Sequence, residues 1–270
     1  MIYKFSVLMS LYFKEQPKYL DACFCSLMEQ SLQASEIVLV FDGQLGVDLE
    51  AVVNKWIQVL PIKVFRLPSN IGLGKALNFG LGKCNNELVA RMDTDDICVP
   101  ERFAKQLQSI VSNPEVAILG SSIKEVDGET LSFISNRFVS ESHAEILKEL
   151  PQKNPFNHMT VVYRKSAIEA VGGYKDLPYM EDWYLWLRLL SKGYKARNCK
   201  DILVVARTGR EMIQRRSGFI YIKSEWLMTK AKVNYGISSK SYALIIFLKR
   251  SLPRLLPGII LQKVYMLARR

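Results

Sequence analysis

The chain has 270 residues, 49% hydrophobic and 23% charged, a balance that excludes fibrous and disordered classes and suits one large domain or a domain with an appendage. Its formal charge of +11 is unevenly spread: residues 1–199 hold 22 Lys/Arg against 23 Asp/Glu, whereas from residue 200 onward the count is 15 against 3. Five scattered cysteines with no CxxC argue against a disulfide scaffold or a zinc site and suit a reducing cytosol.

Apolar runs with β-branched residues alternate with helical patterns through the first half. Residues 5–12 read as a buried strand rather than a signal peptide, since no small-residue cleavage site follows. A helix is expected over 17–30, with Tyr19, Leu20, Cys23, Phe24, Leu27 and Met28 on one face. Strand 36–41 ends in Asp42-Gly43, then come helix 49–60, strand 62–67 and a short helix over 74–82. Strand 88–92 is apolar except for Arg91 and ends in Asp93, Asp95 and Asp96. Pro100 opens a helix to about 111, at a first-turn position where its missing N–H costs nothing. Residues 116–120 read as strand, 121–155 as a mixed stretch with a turn at Asp127-Gly128, and 160–163 as strand. A helix over 181–191 places Trp183, Trp186, Leu187 and Leu190 at helical spacing, with Gly193 as its stop. The alternation predicts an α/β fold with a Rossmann-like, mostly parallel central sheet flanked by helices. Residues 1–205 form the expected domain, and 206–270 a basic amphipathic helical extension. No stretch of about 18 apolar residues free of charge is present, so no membrane span is expected.

Four of these strands end in polar residues, and a parallel sheet gathers such ends on one edge, where open α/β sheets place ligands. Clustered acids after an apolar strand are costly, because like charges repel and desolvation costs several kcal/mol per ion. A hard divalent cation, Mg²⁺ or Mn²⁺, removes that cost and keeps positions open for phosphate. The expected metal ligands are Asp93 and Asp95; the plain alternative is a solvated acidic turn with Asp96 capping the next helix. The nucleotide-binding candidates are Ser10, Tyr12, Asp42, Asn70 and Lys75, with Arg91 and Asp93 beside them. Tyr12 offers a stacking face, and Asp42 an acceptor for an imide N–H or a ribose hydroxyl. Gly72-Leu73-Gly74-Lys75 is not a P-loop, since Ser69 stands where the first Gly belongs and Ala76 follows the Lys. Glu181-Asp182 offers either helix-dipole capping or a general base for an acceptor hydroxyl. His158, one of two histidines, and Trp183 are candidates for the acceptor side.

In order and spacing, the motifs Ser6-Val7-Leu8-Met9-Ser10-Leu11-Tyr12, Ile37-Val38-Leu39-Val40-Phe41-Asp42-Gly43 and Asn70-Ile71-Gly72-Leu73-Gly74-Lys75-Ala76-Leu77-Asn78 resemble the family 2 glycosyltransferases. Arg91-Met92-Asp93-Thr94-Asp95-Asp96, His158-Met159-Thr160-Val161 and Glu181-Asp182-Trp183-Tyr184-Leu185-Trp186 continue the resemblance, which covers about residues 4–210. It implies the nucleotide-diphospho-sugar transferase (GT-A-type) fold and roles for single residues. Asp93 would meet the donor's ribose or sugar, Asp95 the metal, Asp42 the nucleoside, and Asp182 or Glu181 would be the base of an inverting transfer. A UDP-hexose is the implied donor, and bacterial O-antigen or other lipopolysaccharide synthesis the implied setting. Many relatives carry two acids where Phe41-Asp42 stands and an Asn where Phe13 stands. The Gln-x-x-Arg-Trp motif of processive members is absent, which favours one sugar per acceptor.

The extension alternates basic residues with apolar runs at 242–248 and 252–267. That pattern suits helices on an anionic membrane surface and a polyprenyl-diphosphate-linked acceptor, with the protein cytoplasmic and peripheral at the inner face of the plasma membrane. Packing on the domain or a homodimer contact is the alternative. No nucleic-acid reader motif accompanies the charge. Two rival functions remain at this stage. One is a nucleotidyltransferase, which would need a basic Gly-rich loop where Phe13-Lys14-Glu15-Gln16 stands. The other is a non-catalytic membrane-associated assembly partner.

Overall fold

The computed structural model describes residues 4–208 and 218–255. The strands are β1 (Phe5–Leu11), β2 (Glu36–Phe41), β3 (Ile62–Arg66), β4 (Leu88–Arg91), β5 (Ile97–Cys98), β6 (Val116–Asp127), β7 (Phe133–Arg137), β8 (Val162–Arg164) and β9 (Lys195–Thr208). The helices are α1 (Pro17–Met28), α2 (Val47–Ile57), α3 (Leu73–Leu81), α4 (Arg102–Ser112), α5 (His143–Glu149), α6 (Lys165–Ala170), α7 (Glu181–Ser191), α8 (Phe219–Asn234) and α9 (Lys240–Ser251).

The sheet runs β3-β2-β1-β4-β8-β6-β9-β5, with β7 paired to β6. β3, β2, β1 and β4 are parallel neighbours. β8 runs antiparallel to both β4 and β6, so β6 and its parallel neighbour β9 point the same way as β1. Six strands therefore share one direction, the mostly parallel sheet that the sequence predicts. β1, β2 and β4 form because both faces of each are covered, which turns half-buried alternation into near-continuous apolar runs, whereas β3, at the edge, keeps Lys63 and Arg66 in solvent. Along β2, Val38 and Val40 face one core, while Ile37, Leu39 and Phe41 face the other. α1, α2 and α4 pack on the second face, α3, α5, α6 and α7 on the first. Each fully buried Leu, Val or Phe contributes about 1.5–3 kcal/mol, so these two layers hold the parallel strand ends in fixed register.

Where the sequence expects a strand over 116–120, β6 runs to Asp127 and turns back into β7 at the predicted Asp127-Gly128 corner. β9 is not legible in the sequence, because its first half is polar (Lys195, Arg197, Asn198, Lys200, Asp201). It forms because β6 offers a long parallel edge. β9 also runs past position 205 to Thr208.

α8 and α9 pack back onto α7. Tyr221 and Met228 join the core around Trp186, Tyr184 meets Tyr235, and Tyr179 stacks on Tyr221 at 6.0 Å. No helix among the described residues is long and apolar enough to cross a membrane. Arg215-Arg216 and the apolar stretch beyond residue 255 lie outside the described residues.

Candidate active site at the carboxyl edge of the sheet

β4 lies between β1 and β8 and delivers Asp93, Asp95 and Asp96 to the carboxyl edge. Oxygens from all three carboxylates lie within 4.8 Å of one another. At an effective dielectric of about 20, each ionised pair at that distance costs about 3 kcal/mol. The titration of the acids records the strain. Burial, then Asp93 and Glu15, pushes Asp95 up to about 7. Burial, then Asp95 and Asp93, holds Asp96 well above the usual carboxylate range.

Asp96 does not cap the next helix. Its Oδ1 accepts the backbone N–H of Arg207 at 2.9 Å, while its Oδ2 is buried with no hydrogen-bond donor among the described residues. A buried oxygen with no donor, on an acid clustered with two further carboxylates, would suit a hard oxygen-seeking cation. Mg²⁺ or Mn²⁺ fits these ligands, with Asp96 as a third oxygen source beside the expected Asp93 and Asp95.

Arg91 is 1% exposed and ion-pairs with Asp93 through Nη2, while its Nε and Nη1 are buried without a partner among the described residues. Its charge also lowers the titration of Asp95, Asp96, Glu181 and Asp182, so it stands within reach of both acid clusters. One guanidinium cannot neutralise all of them.

Glu181 and Asp182 open α7. Asp182 Oδ2 accepts Nδ2 of Asn154 at 2.6 Å, and Oδ1 accepts the N–H of Trp183 at 2.7 Å. Burial raises its titration. Burial, then Asp182, pushes Glu181 up to about 7, where a carboxylate is an effective base near neutral pH. The amino end of α3 abuts this pair: a Cβ placed on Gly74 would lie 3.2 Å from Cβ of Glu181. Gly at that position lets a helix N-terminus, favourable to anions, approach the two acids. Lys75 bridges to Asp176 at 3.1 Å and so ties α3 to the segment before α7.

Other expected site residues have different surroundings. The sequence assigns Asp42 to the nucleoside; its carboxylate is 2% exposed and first serves the chain, accepting the N–H groups of Ile71 at 2.7 Å and Gly72 at 3.0 Å. Gly43, at φ +93°, lets the loop come so near that a Cβ there would sit 2.8 Å from the Asn70 nitrogen. Asn70 is exposed, and its Nδ2 donates to the Asp42 carbonyl at 3.3 Å. Ser10 and Tyr12 are half-buried at the end of β1, with the Tyr12 ring edge-on to Phe13.

His158 Nε2 lies 2.9 Å from the Tyr174 hydroxyl, and burial, then Arg91, keeps its ring neutral. Trp183 is a correction. The sequence places it at the acceptor, but it is 2% exposed and donates from Nε1 to Leu150 O at 3.0 Å. Lys232 and Arg250 cover its ring at 3.9 and 4.8 Å, so it belongs to the joint between α7 and the C-terminal helices.

Sequence reasoning missed Glu15 and Asn154. Glu15 accepts from Thr94 Oγ1 at 2.7 Å and lies close enough to Asp93 to feel its charge, and Asn154 fixes Asp182. Each partner is 28 or more positions away, and neither Glu15 nor Asn154 carries a local pattern.

Comparison with known proteins adds identity to this geometry. The model for "Glycosyl transferase family 2" matches residues 6–172. An uncharacterized glycosyltransferase of Haemophilus influenzae is 49% identical over 97% of both chains. The amylovoran biosynthesis glycosyltransferase AmsE of Erwinia amylovora is 43% identical over 97% of both. The UDP-Gal:alpha-D-GlcNAc-diphosphoundecaprenol beta-1,3-galactosyltransferase of Escherichia coli is 36% identical over 97% of this chain and 96% of its own. In fold, the chain is similar to S. aureus TarS 1-349, solved with UDP-GlcNAc, at TM-score 0.69 and 20-odd per cent identity (21%), covering 93% of this chain and 72% of that one.

Proposed function

The chain belongs to glycosyl transferase family 2, and from that membership we propose that it moves one sugar, with inversion, from a nucleoside-diphosphate donor to a lipid-linked saccharide in bacterial polysaccharide assembly. The observation that carries the reading is the convergence of Asp93, Asp95 and Asp96, with the orphaned oxygen of Asp96 among them, beside a second acid pair at Glu181-Asp182. The names of two full-length relatives, one for amylovoran synthesis and one for a diphosphoundecaprenol acceptor, support the setting and the lipid-linked acceptor. A uridine donor is supported by the second of those names.

The residues divide the work. The loop fastened by Asp42 borders the nucleoside, with Tyr12 and Asn70 beside it. Asp93, Asp95 and Asp96 would hold Mg²⁺ or Mn²⁺, which as a Lewis acid stabilises the charge that builds on a departing diphosphate. Arg91, paired with Asp93, adds fixed positive charge on the same side. The acceptor hydroxyl attacks the anomeric carbon from the face opposite the diphosphate. The Glu181-Asp182 pair takes the hydroxyl proton, Asp182 being oriented by Asn154. A single displacement of this kind needs no carboxylate nucleophile and inverts the anomeric centre.

A thermal-shift screen of nucleotide sugars with and without Mn²⁺ tests the reading. A ligand that binds only the native state adds about 2.7 kcal/mol at 100 times its dissociation constant, so the true donor should stand out, and only with metal. If no nucleotide sugar moves the transition under either condition, the proposal fails. The anomeric configuration of the product, read by NMR, decides inversion.

A further inference from the structure

We propose that the outward face of the α8–α9 hairpin, continued by the exposed edge of the β6–β7 hairpin, docks on the headgroup region of an anionic lipid bilayer. The proposal deepens the function above by naming the surface from which a lipid-linked acceptor arrives, and it rests on that reading only for its purpose.

Each helix has two faces. α8 turns Tyr221, Glu225, Met228 and Lys232 inward, and α9 turns Ala243 and Ile246 inward. The outward positions keep large apolar side chains in solvent: Trp226 and Leu227 at 41%, Leu244 at 45%, Ile245 at 49% and Leu248 at 44%. Single exposed apolar residues are ordinary, but a contiguous set on adjoining helices marks an interaction surface.

The charges say which kind. Lys223, Lys230, Lys240 and Lys249 are all exposed on the same two helices. Glu225 is the one acid between residues 218 and 255; it is 0% exposed and ion-paired to Arg250 at 2.6 Å. Every exposed charged side chain of the hairpin is thus cationic. Protein interface cores are depleted of lysine, whereas interleaved lysine and large apolar residues match anionic headgroups over acyl chains.

The position agrees. One turn joins this surface to the catalytic pair. Arg250 Nη1 donates to Gln152 O at 3.3 Å, and Arg137 of β7 donates to Asn154 O at 3.2 Å. Asn154 itself donates to Asp182. β7 itself carries exposed apolar side chains, Phe133 at 59% and Ile134 at 48%, and Phe138 at 62% follows Arg137. Both hairpins are therefore tied to the turn that holds the acids proposed to deprotonate the acceptor. A diphosphate at headgroup depth would present its sugar there.

Vesicle flotation of the full chain tests this, using phosphatidylglycerol mixed into phosphatidylcholine against phosphatidylcholine alone. Trp226 supplies a second readout: Trp56, Trp183 and Trp186 are at most 7% exposed, so a blue shift of tryptophan emission on binding reports Trp226. Flotation with anionic vesicles and a blue shift are expected. At about 1 kcal/mol per lysine near an anionic surface, Lys223→Gln with Lys230→Gln should weaken binding by on the order of tenfold or more. Leu244→Ser with Leu248→Ser should do the same, as should Phe133→Ser with Phe138→Ser. Thermal unfolding and donor binding should stay at the parent values in all three. Equal flotation on neutral vesicles, or flotation unmoved by any of the three, overturns the proposal. So does a dimer that Leu244→Ser with Leu248→Ser dissociates while vesicle binding persists, because the face then covers a second copy. Flotation with no response to any nucleotide sugar would leave this surface standing and remove the transferase reading instead.

Discussion

Glu36 and Asp96 are both acids at 2% exposure, and they lie at opposite ends of the same parallel strands. Glu36 opens β2 and is surrounded by donors. Ser6 Oγ and Lys63 Nζ reach it at 2.7 Å, the Asn85 N–H at 2.6 Å and Asn85 Nδ2 at 2.8 Å. Burial alone would raise it, yet these partners bring it down to about 2. Asp96, past the end of β4, has one backbone donor, one orphaned oxygen and two neighbouring carboxylates, and it titrates far above the usual range. A buried acid is therefore no sign of function by itself. The satisfied one belongs to the scaffold, and the unsatisfied one is the candidate for completion by a ligand.

That contrast can be broken by mutation. At the carboxyl end, Asp95→Ala or Asp96→Asn should lower transfer by on the order of 10²–10³, because each removes a ligand of the cation that would stabilise the leaving group, while thermal unfolding changes little or improves as like-charge repulsion is relieved. A stable, fully active Asp95→Ala in the presence of chelator would sink the metal site. Glu181→Gln and Asp182→Asn should each cost a comparable or larger amount, about 10²–10⁴ in kcat/KM. The base works deprotonated and Glu181 titrates at about 7, so the wild-type rate should rise with pH and level off above about 7. If only Asp182→Asn flattens that acidic limb, Asp182 carries the proton and Glu181 supports it.

At the amino end the expected loss is of stability. Glu36→Gln should destabilise by about 3 kcal/mol, since it unpairs a buried charged network. The folded value, about 2, lies below the usual 4.5, so the Glu36 contribution is present above pH 4.5 and is lost as pH falls from about 4.5 to about 2. The variant should lack that slope in acid unfolding. The smallest effect belongs to Lys232, 1% exposed over the Trp183 ring, where burial, then Arg250, depresses its amine to about 7. Its folded state prefers the neutral amine, so stability falls as pH drops from about 10.5 to about 7. Lys232→Met should then be neutral or stabilising by about 1 kcal/mol at neutral pH, measured by denaturant midpoint, with the gain shrinking as pH rises.

Asp93, Asp95 and the Glu181-Asp182 pair were legible because each sits at the edge of a strongly patterned element. Burial of Trp183 was not, because helical spacing alone does not say which neighbour covers a face. Arg91, at 1% exposure between both acid clusters, gains its importance only from the strands beside it.

The chain's local periodicity was enough to determine the alternating strands and helices, the direction of the first four strands, and hence which loops share an edge, since side-chain period and short crossovers follow from neighbouring residues. Only the tertiary structure decided that Asp96 joins Asp93 and Asp95, that Glu15 and Asn154 support the acids, and that β9 completes the sheet. Glu15 and Asn154 lie 79 and 28 positions from the residues they hold, and Asp96 is fixed in the cluster by the N–H of Arg207, 111 positions away. Their meeting is set by strand register and by which helix covers which face, and neither leaves a trace in a short stretch of sequence.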